Sequence, residues 1–261
     1  MTIIREPEGG VLAEFFAALG RFVQVMGLAL LGLPGVLFRR DSRRTFAQQL
    51  YVIGIGTLPV ATVVAMFTGM ILTLQLGIAF KQFSQEIMVA YTLSFAMLRE
   101  MGPFMTGIIL ASCVGSAMAA QLGTMKVNEE IAALEMMSID PVRFLVAPRM
   151  WALIVMAPLL AFYTCIVAFL GGATIGYTQL NIPFLQFIAE IVSVAEVKDL
   201  YVGLFKTALF GVLICTISCS VGFATVQGAA GVGASTRRAV IYSFLAILAG
   251  GYFVTRFFYV F

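Results

Sequence analysis

Long apolar stretches, separated by short polar ones, make up most of this sequence. A helix that crosses a bilayer needs about 20 mostly apolar residues. Five stretches reach that length, at about 50–80, 88–118, 150–177, 201–225 and 239–260. The pattern therefore predicts an all-α, polytopic membrane protein with five transmembrane helices in a single domain, residues 1–261.

An earlier apolar stretch, residues 11–38, is interrupted by Glu14, Arg21 and Gln24. Its amphipathic first half favours a helix that lies in the membrane interface over a sixth span. A basic cluster follows: Arg39, Arg40, Arg43 and Arg44. We expect residues 1–45 to form this interfacial helix and a basic loop at the lipid headgroups, and residues 46–261 to form the transmembrane domain.

A polar interruption with helical periodicity separates the second span from the third. Apolar side chains recur at Val127, Ile131, Leu134 and Met137, with acidic residues between them. This spacing predicts a short amphipathic helix, Val127–Ser138, at the membrane surface. We expect Gly123 to break the chain before it and Asp140-Pro141 to end it. The helix is either an ordinary loop that folds back, or a coupling helix that a cytoplasmic motor grips.

Composition and charge placement agree with this topology. Only 11% of the residues are charged, against about 25% in soluble domains. Most Lys and Arg residues fall in the segments that precede the first span and join the second to the third and the fourth to the fifth. The positive-inside rule then predicts a cytoplasmic N-terminus and an outer C-terminus. The remaining connections are predicted as an outer segment, Gln179–Asp199, and a Gly-rich turn, residues 227–238.

Several chemistries lack the residues they need. The chain contains no histidine, which excludes a Ser/His/Asp triad. Gly123-Thr124-Met125-Lys126 lacks the spacing of a nucleotide-binding P-loop. Four cysteines, Cys113, Cys165, Cys215 and Cys219, lie in apolar segments and are predicted to be small buried residues. We therefore expect no enzyme, no metal, no cofactor and no nucleic acid partner.

Arg99 and Glu100 stand together inside the second span. A charge at a helix centre costs about 2.5–3.5 kcal/mol on insertion scales. Adjacent helical residues point about 100° apart, so we expect Glu100 to find a partner on another span or subunit. Gly102-Pro103 is expected to free a backbone carbonyl and permit a kink. Either the two charges form buried ion pairs that hold helices together, or they line the polar floor of a cavity.

An apolar stripe near the outer end of the first span is a second candidate. Its members are Leu72, Leu76, Ala79, Phe80 and Phe83. A lipid-facing or helix-packing surface would show the same periodicity, so the pattern alone leaves its role open. Gly172 and Gly176 in the third span form a GxxxG motif, a candidate for close helix packing.

Three blocks of sequence resemble the MlaE/YrbE family, the membrane permeases of ABC transporters that move lipids together with MCE-domain proteins. The blocks are QLGTMKVNEEIAALEMMSIDPVRFLVAPRMWA from Gln121, LREMGP from Leu98, and GMILTLQ from Gly69. The resemblance extends from about Arg39 to the C-terminus. It implies a phospholipid permease of the bacterial inner membrane, working as a homodimer. The implied partners are a cytoplasmic ABC ATPase that binds the ATP, a periplasmic MCE protein, and in some systems a STAS-domain regulator.

The resemblance also assigns roles to residues. It implies an acyl-chain pocket at the dimer interface that includes Leu72, Ala79, Phe80 and Phe83, and to these the stripe adds Leu76. Arg99 and Glu100 would form its charged floor. On the surface helix it implies contacts with the ATPase, from Glu129, Ile131, Leu134, Glu135, Met136, Met137, Asp140 and Pro141.

Two departures from the family pattern and two alternative functions accompany this assignment. The family usually has Gly-Arg at Ser112-Cys113 and Glu at Gln121, and we expect that neutral packing replaces one electrostatic contact between these positions.

The main alternative belongs to another functional class: a gradient-driven secondary transporter or channel with Arg99 and Glu100 as its ion site. A membrane scaffold without transport is a third interpretation. Loss of ATPase association after mutation of the surface helix would separate the first function from the other two.

Overall fold

The computed structural model describes residues 11–32, 40–83, 85–226 and 228–259, and all regular structure in these ranges is helical. We number the helices α1 (Val11–Leu31), α2 (Arg40–Gly54), α3 (Leu58–Lys81), α4 (Met88–Val127), α5 (Glu130–Met136), α6 (Val142–Leu180), α7 (Phe184–Val194), α8 (Val197–Phe223) and α9 (Gly228–Tyr259).

Five helical stretches in the described part of the chain are long and apolar enough to cross a membrane. They are Arg43–Lys81, which joins most of α2 to α3, and the helices α4, α6, α8 and α9. The prediction of an all-α protein with five spans is therefore confirmed. Within α1, the segment Phe22–Leu31 is a shorter apolar helix and is not counted among the five.

Two segments predicted as loops are helical. Arg40, expected in a basic loop, begins α2, while Arg39 lies outside the described residues. The Gly-rich segment 228–238 forms the first turns of α9. Close packing explains one of its glycines, because a Cβ on Gly231 would lie 1.6 Å from the carbonyl oxygen of Val226. The turn itself falls at Gly228, whose φ of 63° favours glycine.

The surface helix is shorter than predicted, and its flanks differ. Gly123 does not break the chain, since α4 continues through it to Val127. A Cβ at this position would lie 2.8 Å from the Thr225 hydroxyl, so glycine permits close packing here. Helix α5 begins only at Glu130, after Glu129 turns the chain with a φ of 61°.

Asp140-Pro141 begins the next helix and does not end the surface helix. The Asp140 carboxylate accepts a hydrogen bond from the backbone N–H of Val142 at 2.9 Å. It therefore satisfies a donor that the first turn of a helix leaves without a partner. Pro141 is suited to this position because it has no N–H to satisfy.

The outer segment also contains more order than expected. Within Gln179–Asp199, α7 forms a helix that buries Phe187 and Ile191. The Ser94 hydroxyl donates a hydrogen bond to the Ile191 carbonyl at 3.2 Å. Helix α7 is thus attached to α4.

Three stretches of the long helices have π-helical hydrogen bonding: Met97–Met101 and Ala111–Gly115 in α4, and Val142–Val146 at the start of α6. A π-turn inserts one extra residue into a helix, bends it and often marks a functional position. The first of the three contains Arg99 and Glu100.

Compact packing divides the described chain into two units. One draws on the described parts of Met1–Ile53, Leu110–Val155 and Phe210–Ala246, and the other on Gly54–Ile109, Met156–Leu209 and Ile247–Phe261. In the first unit, α1 buries Val25 and Ala29 and approaches α6 where Gly32 meets Ala147.

In the second unit, glycines bring α3 and α6 into backbone contact. A Cβ on Gly69 would lie 1.9 Å from the Ala168 carbonyl oxygen, and one on Gly171 would lie 2.4 Å from that of Met66. Gly172 packs against Leu93 and Thr73, and Gly176 against Phe187. The GxxxG motif of α6 is therefore a close packing surface, as predicted.

Candidate functional site

Glu100 forms an ion pair with Lys206 of α8. Lys206 Nζ lies 2.9 Å from Glu100 Oε1, 3.0 Å from the Arg99 carbonyl oxygen and 2.7 Å from Thr255 Oγ1. An ammonium group has three hydrogens to donate, so these contacts satisfy it completely. The Lys206 residue is 0% exposed, whereas the Glu100 side chain is 43% exposed. The pair thus combines a buried cation with a carboxylate that also faces open space.

Arg99 forms a second ion pair, with Asp199 at the start of α8. Its Nε lies 2.7 Å from Asp199 Oδ2, although the N–H direction does not give a well-aligned hydrogen bond. The guanidinium carbon is 3.4 Å from the ring centre of Phe95 and 4.3 Å from that of Tyr259. The Tyr259 hydroxyl donates to Asp199 Oδ1 at 2.7 Å. Arg99 is therefore held by a carboxylate and by two aromatic rings.

The local backbone explains this geometry. Pro103 has no N–H, so the carbonyl of Arg99 one turn earlier lacks the donor that a regular helix would provide. Lys206 donates to that carbonyl. Gly203 permits the approach of α8, since a Cβ there would lie 2.4 Å from the Leu98 carbonyl oxygen. Two predictions are confirmed: Pro103 leaves a carbonyl without its helical donor, and Glu100 has a partner on another span. Lys206 bonds to both groups.

Together the two pairs form a compact network of two cations and two anions that joins α4, α8 and α9. Removing charges from water is costly unless they are paired and hydrogen-bonded, and each of these four has a partner. The network thus holds helices together, which is the structural role proposed for Arg99 and Glu100. Contact with a lipid remains a prediction, and Glu100 has the more exposed of the two side chains.

The apolar stripe of α3 divides into two rows. Leu72, Leu76 and Phe80 are half-buried and pack against a core that includes Val89, Leu93 and Phe187. Ala79 and Phe83 are exposed, Phe83 to 73%. Of the five stripe residues, only Ala79 and Phe83, the second row, are exposed.

Residues of the surface helix divide in a similar way. Ile131 is 2% exposed, so it packs on its own chain. This differs from our expectation that it fills a groove of the partner. Leu134 is half-buried, Pro141 is buried, and Asp140 caps α6. Glu129, Glu135, Met136 and Met137 remain outside, with Met136 exposed to 87%. The surface helix is thus an anchored turn that, with its flanking residues, exposes two methionines and three acidic side chains, since Glu130 is exposed as well.

Gln121 forms a polar contact with Arg149, where we expected neutral packing against Ser112-Cys113. Its Oε1 accepts a hydrogen bond from Arg149 Nη2 at 3.1 Å, and Arg149 Nη1 donates to the Leu145 carbonyl. Ser112 and Cys113 are exposed, so the prediction that all four cysteines are buried is wrong for Cys113. Within the described ranges, Arg149 is a buried cation that bonds only neutral oxygens.

Four residues of the charged network were not among the predicted site residues: Asp199, Lys206, Thr255 and Tyr259. Lys206 gave a usable signal, as an ionisable residue within a span. Asp199 was assigned to the outer segment, and nothing in the sequence indicates the roles of Thr255 or Tyr259.

Comparison with known proteins decides the family. The family model for the permease MlaE matches residues 46–257. The chain belongs to the MlaE permease family.

Individual relatives agree with the family match. A probable ABC transporter permease protein of Rickettsia typhi is 36% identical over 80% of this chain and 81% of its own length. One from Synechocystis is 36% identical over 84% of each chain. The intermembrane phospholipid transport system permease protein MlaE of Haemophilus influenzae is 30% identical over 95% of this chain and 94% of its own. This MlaE-family chain is thus a multi-pass membrane protein and an ABC-type permease.

Proposed function

We propose that this permease moves phospholipids between the bacterial inner membrane and a periplasmic MCE protein, for outer-membrane lipid homeostasis, driven by ATP hydrolysis on a separate cytoplasmic ATPase. The relative from Haemophilus influenzae is named for intermembrane phospholipid transport, which supports the substrate class. In this proposal two copies of the chain form the transmembrane part, a periplasmic MCE protein exchanges the lipid, and a STAS-domain protein regulates the ATPase in systems that have one.

The observation that supports ATP-driven transport best is the surface of α5. This helix lies between two spans, is anchored by the buried Ile131, and exposes Glu135, Met136 and Met137. Methionine side chains adapt to irregular apolar grooves, and the carboxylate provides a contact for basic residues. A short, anchored element of this kind transmits a push from a docked ATPase to α4 and α6.

Glu100 and the exposed row of α3 would contact the lipid. A partly exposed carboxylate attracts the ammonium group of a zwitterionic headgroup, while Ala79 and Phe83 offer apolar surface to an acyl chain. Each buried CH₂ contributes about 0.8 kcal/mol. In the gradient-driven alternative, the same carboxylate would exchange an ion, and no ATPase would be needed.

The coupling proposal is tested with a double variant, Glu135→Lys with Met136→Lys, in an affinity-tagged full-length chain. We expect at least a tenfold loss of co-purifying ATPase, because two exposed contact residues become repulsive or polar while Ile131 is untouched. A matched control is Leu185→Lys with Glu196→Lys, which replaces one exposed apolar and one exposed acidic residue by lysine in α7 and the segment after it.

The outcome separates the candidate functions. Retention of ATPase by the α5 variant, or the same loss in the control, would exclude α5 as the docking element. A wild-type chain that purifies without any ATPase and without phospholipid would contradict the permease proposal and favour a gradient-driven site at Glu100.

A further inference from the structure

A crevice in the first unit has no role in the function described above. It has a volume of about 270 Å³ and lies between α1, α8 and α9. Its lining residues are Phe22, Ile217, Ser220, Val221, Ala224, Ser235, Arg238 and Tyr242. One wall is apolar, and the other side chains are hydrogen-bond donors.

The polar side of the crevice has donors without matching acceptors. The Ser220 hydroxyl is buried and finds no hydrogen-bond partner among the described residues. Ser235 Oγ accepts from Thr225 Oγ1 at 2.8 Å, which leaves its own hydrogen to donate. Arg238 has no carboxylate within 4.0 Å in the described part of the chain. A buried hydroxyl without a partner costs about 1–3 kcal/mol, so the crevice favours a ligand with several acceptor oxygens and a negative charge.

The apolar side of the crevice and its position relative to the headgroup layer define the rest of the ligand. Phe22, Ile217 and Val221 provide a surface that suits hydrocarbon and not water. Arg238 directly precedes the apolar stretch 239–260 and therefore lies where that span meets the headgroup layer. Ser220 and Val221 lie in the last turn of α8, which finishes at Phe223, and Ala224 follows it directly.

We propose that this crevice binds an anionic phospholipid of the surrounding bilayer. The phosphate accepts hydrogen bonds from Arg238, Ser220 and Ser235, and the first methylenes lie against Phe22 and Val221. The volume accommodates a headgroup and the start of a chain, while the remaining chain stays in the bilayer. Such a lipid attaches α1 to α8 and α9. The inference concerns a resident lipid and does not depend on the transport proposal.

Fluorescence quenching in nanodiscs tests this site with the full-length chain. Trp151 is the single tryptophan of the sequence, so Trp151→Phe with Tyr242→Trp places one reporter at the crevice. The host lipid is phosphatidylcholine, titrated with brominated phosphatidylglycerol or, in parallel, with brominated phosphatidylcholine. We expect phosphatidylglycerol to reach half-maximal quenching at a several-fold lower mole fraction.

Charge and shape variants in this background localise the binding. Arg238→Gln should raise the half-maximal mole fraction of phosphatidylglycerol about fivefold, the effect of one basic residue beside an anionic lipid. Arg237→Gln removes the same charge from an exposed residue that does not line the crevice, and should change it less than twofold. Ala224→Phe fills the crevice without altering charge and should also weaken quenching, while Arg238→Lys should largely preserve it.

Three results would overturn the proposal. Equal quenching by both brominated lipids would show no selectivity for an anionic headgroup. Equal shifts for Arg237→Gln and Arg238→Gln would indicate general surface attraction and no local site. Displacement of the brominated lipid by soluble glycerol phosphate would identify a site for a free anion and not for a bilayer lipid.

Discussion

Lys206 is fully buried, and its ammonium group has three acceptors, of which only Glu100 is charged. Glu100→Gln therefore leaves a buried cation without its counter-ion. Breaking a buried pair costs about 3–5 kcal/mol, and the partial exposure of Glu100 reduces this to about 1–3 kcal/mol. We expect that decrease in the free energy of unfolding, measured by denaturation of the detergent-solubilised chain.

A double-mutant cycle isolates the interaction. Lys206→Met removes the charge together with its need for a partner, so Glu100→Gln in that background should cost clearly less than it does alone. Glu196→Gln, at an exposed position, is the control for loss of a carboxylate. Additive effects of the two network substitutions would contradict the ion pair.

Arg149 presents the opposite case, a buried cation with a neutral partner. Its Nη2 lies 3.1 Å from Gln121 Oε1, so Gln121→Glu would place a carboxylate within reach of the guanidinium group. Hydrogen bonds to charged partners are roughly twice as strong as neutral ones, and we expect a gain of about 1 kcal/mol in unfolding free energy. Gln121→Leu removes the acceptor and should destabilise the chain. If both substitutions have the same effect, the contact contributes nothing.

At the scale of the helices, the packing of α3 on α6 depends on glycine. In Gly69→Ala the new methyl group would lie 1.9 Å from a backbone carbonyl oxygen, which cannot rotate away. The helices must then separate, and overpacking of this kind typically costs about 1–3 kcal/mol. We expect a lower unfolding temperature and a lower yield of monodisperse protein in size-exclusion chromatography.

Gly20 of α1 provides a matched control. Among the described residues, no heavy atom lies within 4 Å of a Cβ built there, and the residue is helical. Since alanine is favoured over glycine in helices by about 0.5–1 kcal/mol, Gly20→Ala should be neutral or slightly stabilising. A similar response from Gly69→Ala would show that backbone contact does not determine the stability of this pair.

The helices also show which parts of the fold are readable from sequence. Spans were predicted correctly because hydropathy over 20 residues depends on composition and not on partners. The start of α9 was missed because glycine has low intrinsic helix propensity, and only the close approach at Gly231 reveals why glycine is used in a helix there. Lys206 was noted within a span, but its pairing with Glu100, 106 positions away, depends on tertiary packing that local periodicity does not contain.

For the whole molecule, the outward surface of α3 raises the question of what covers it. Large apolar side chains are exposed along this helix, among them Val63, Phe67, Ile71, Leu74 and Ile78, together with Phe83 beyond its end. Lipid covers such a surface in a monomer, whereas a second copy of the chain covers part of it in a homodimer. In a two-fold dimer, only residues close to the symmetry axis meet their own counterparts. The proposed pocket at the dimer interface requires Ala79 and Phe83 to be such residues.

Cysteine cross-linking tests this arrangement in native membranes. Because Cys113 is exposed, the background is Cys113→Ser, with Ala79→Cys or Phe83→Cys introduced singly. A disulfide forms only when the two Cα atoms approach to about 4.4–6.8 Å, so we expect an oxidant to produce a covalent dimer from at least one of these variants. Phe253→Cys, at an exposed position of α9, is the control for random collision. Dimers that form equally from all three variants would reflect collision, and their absence from both α3-end variants would place this row against lipid and remove the interface pocket from the mechanism.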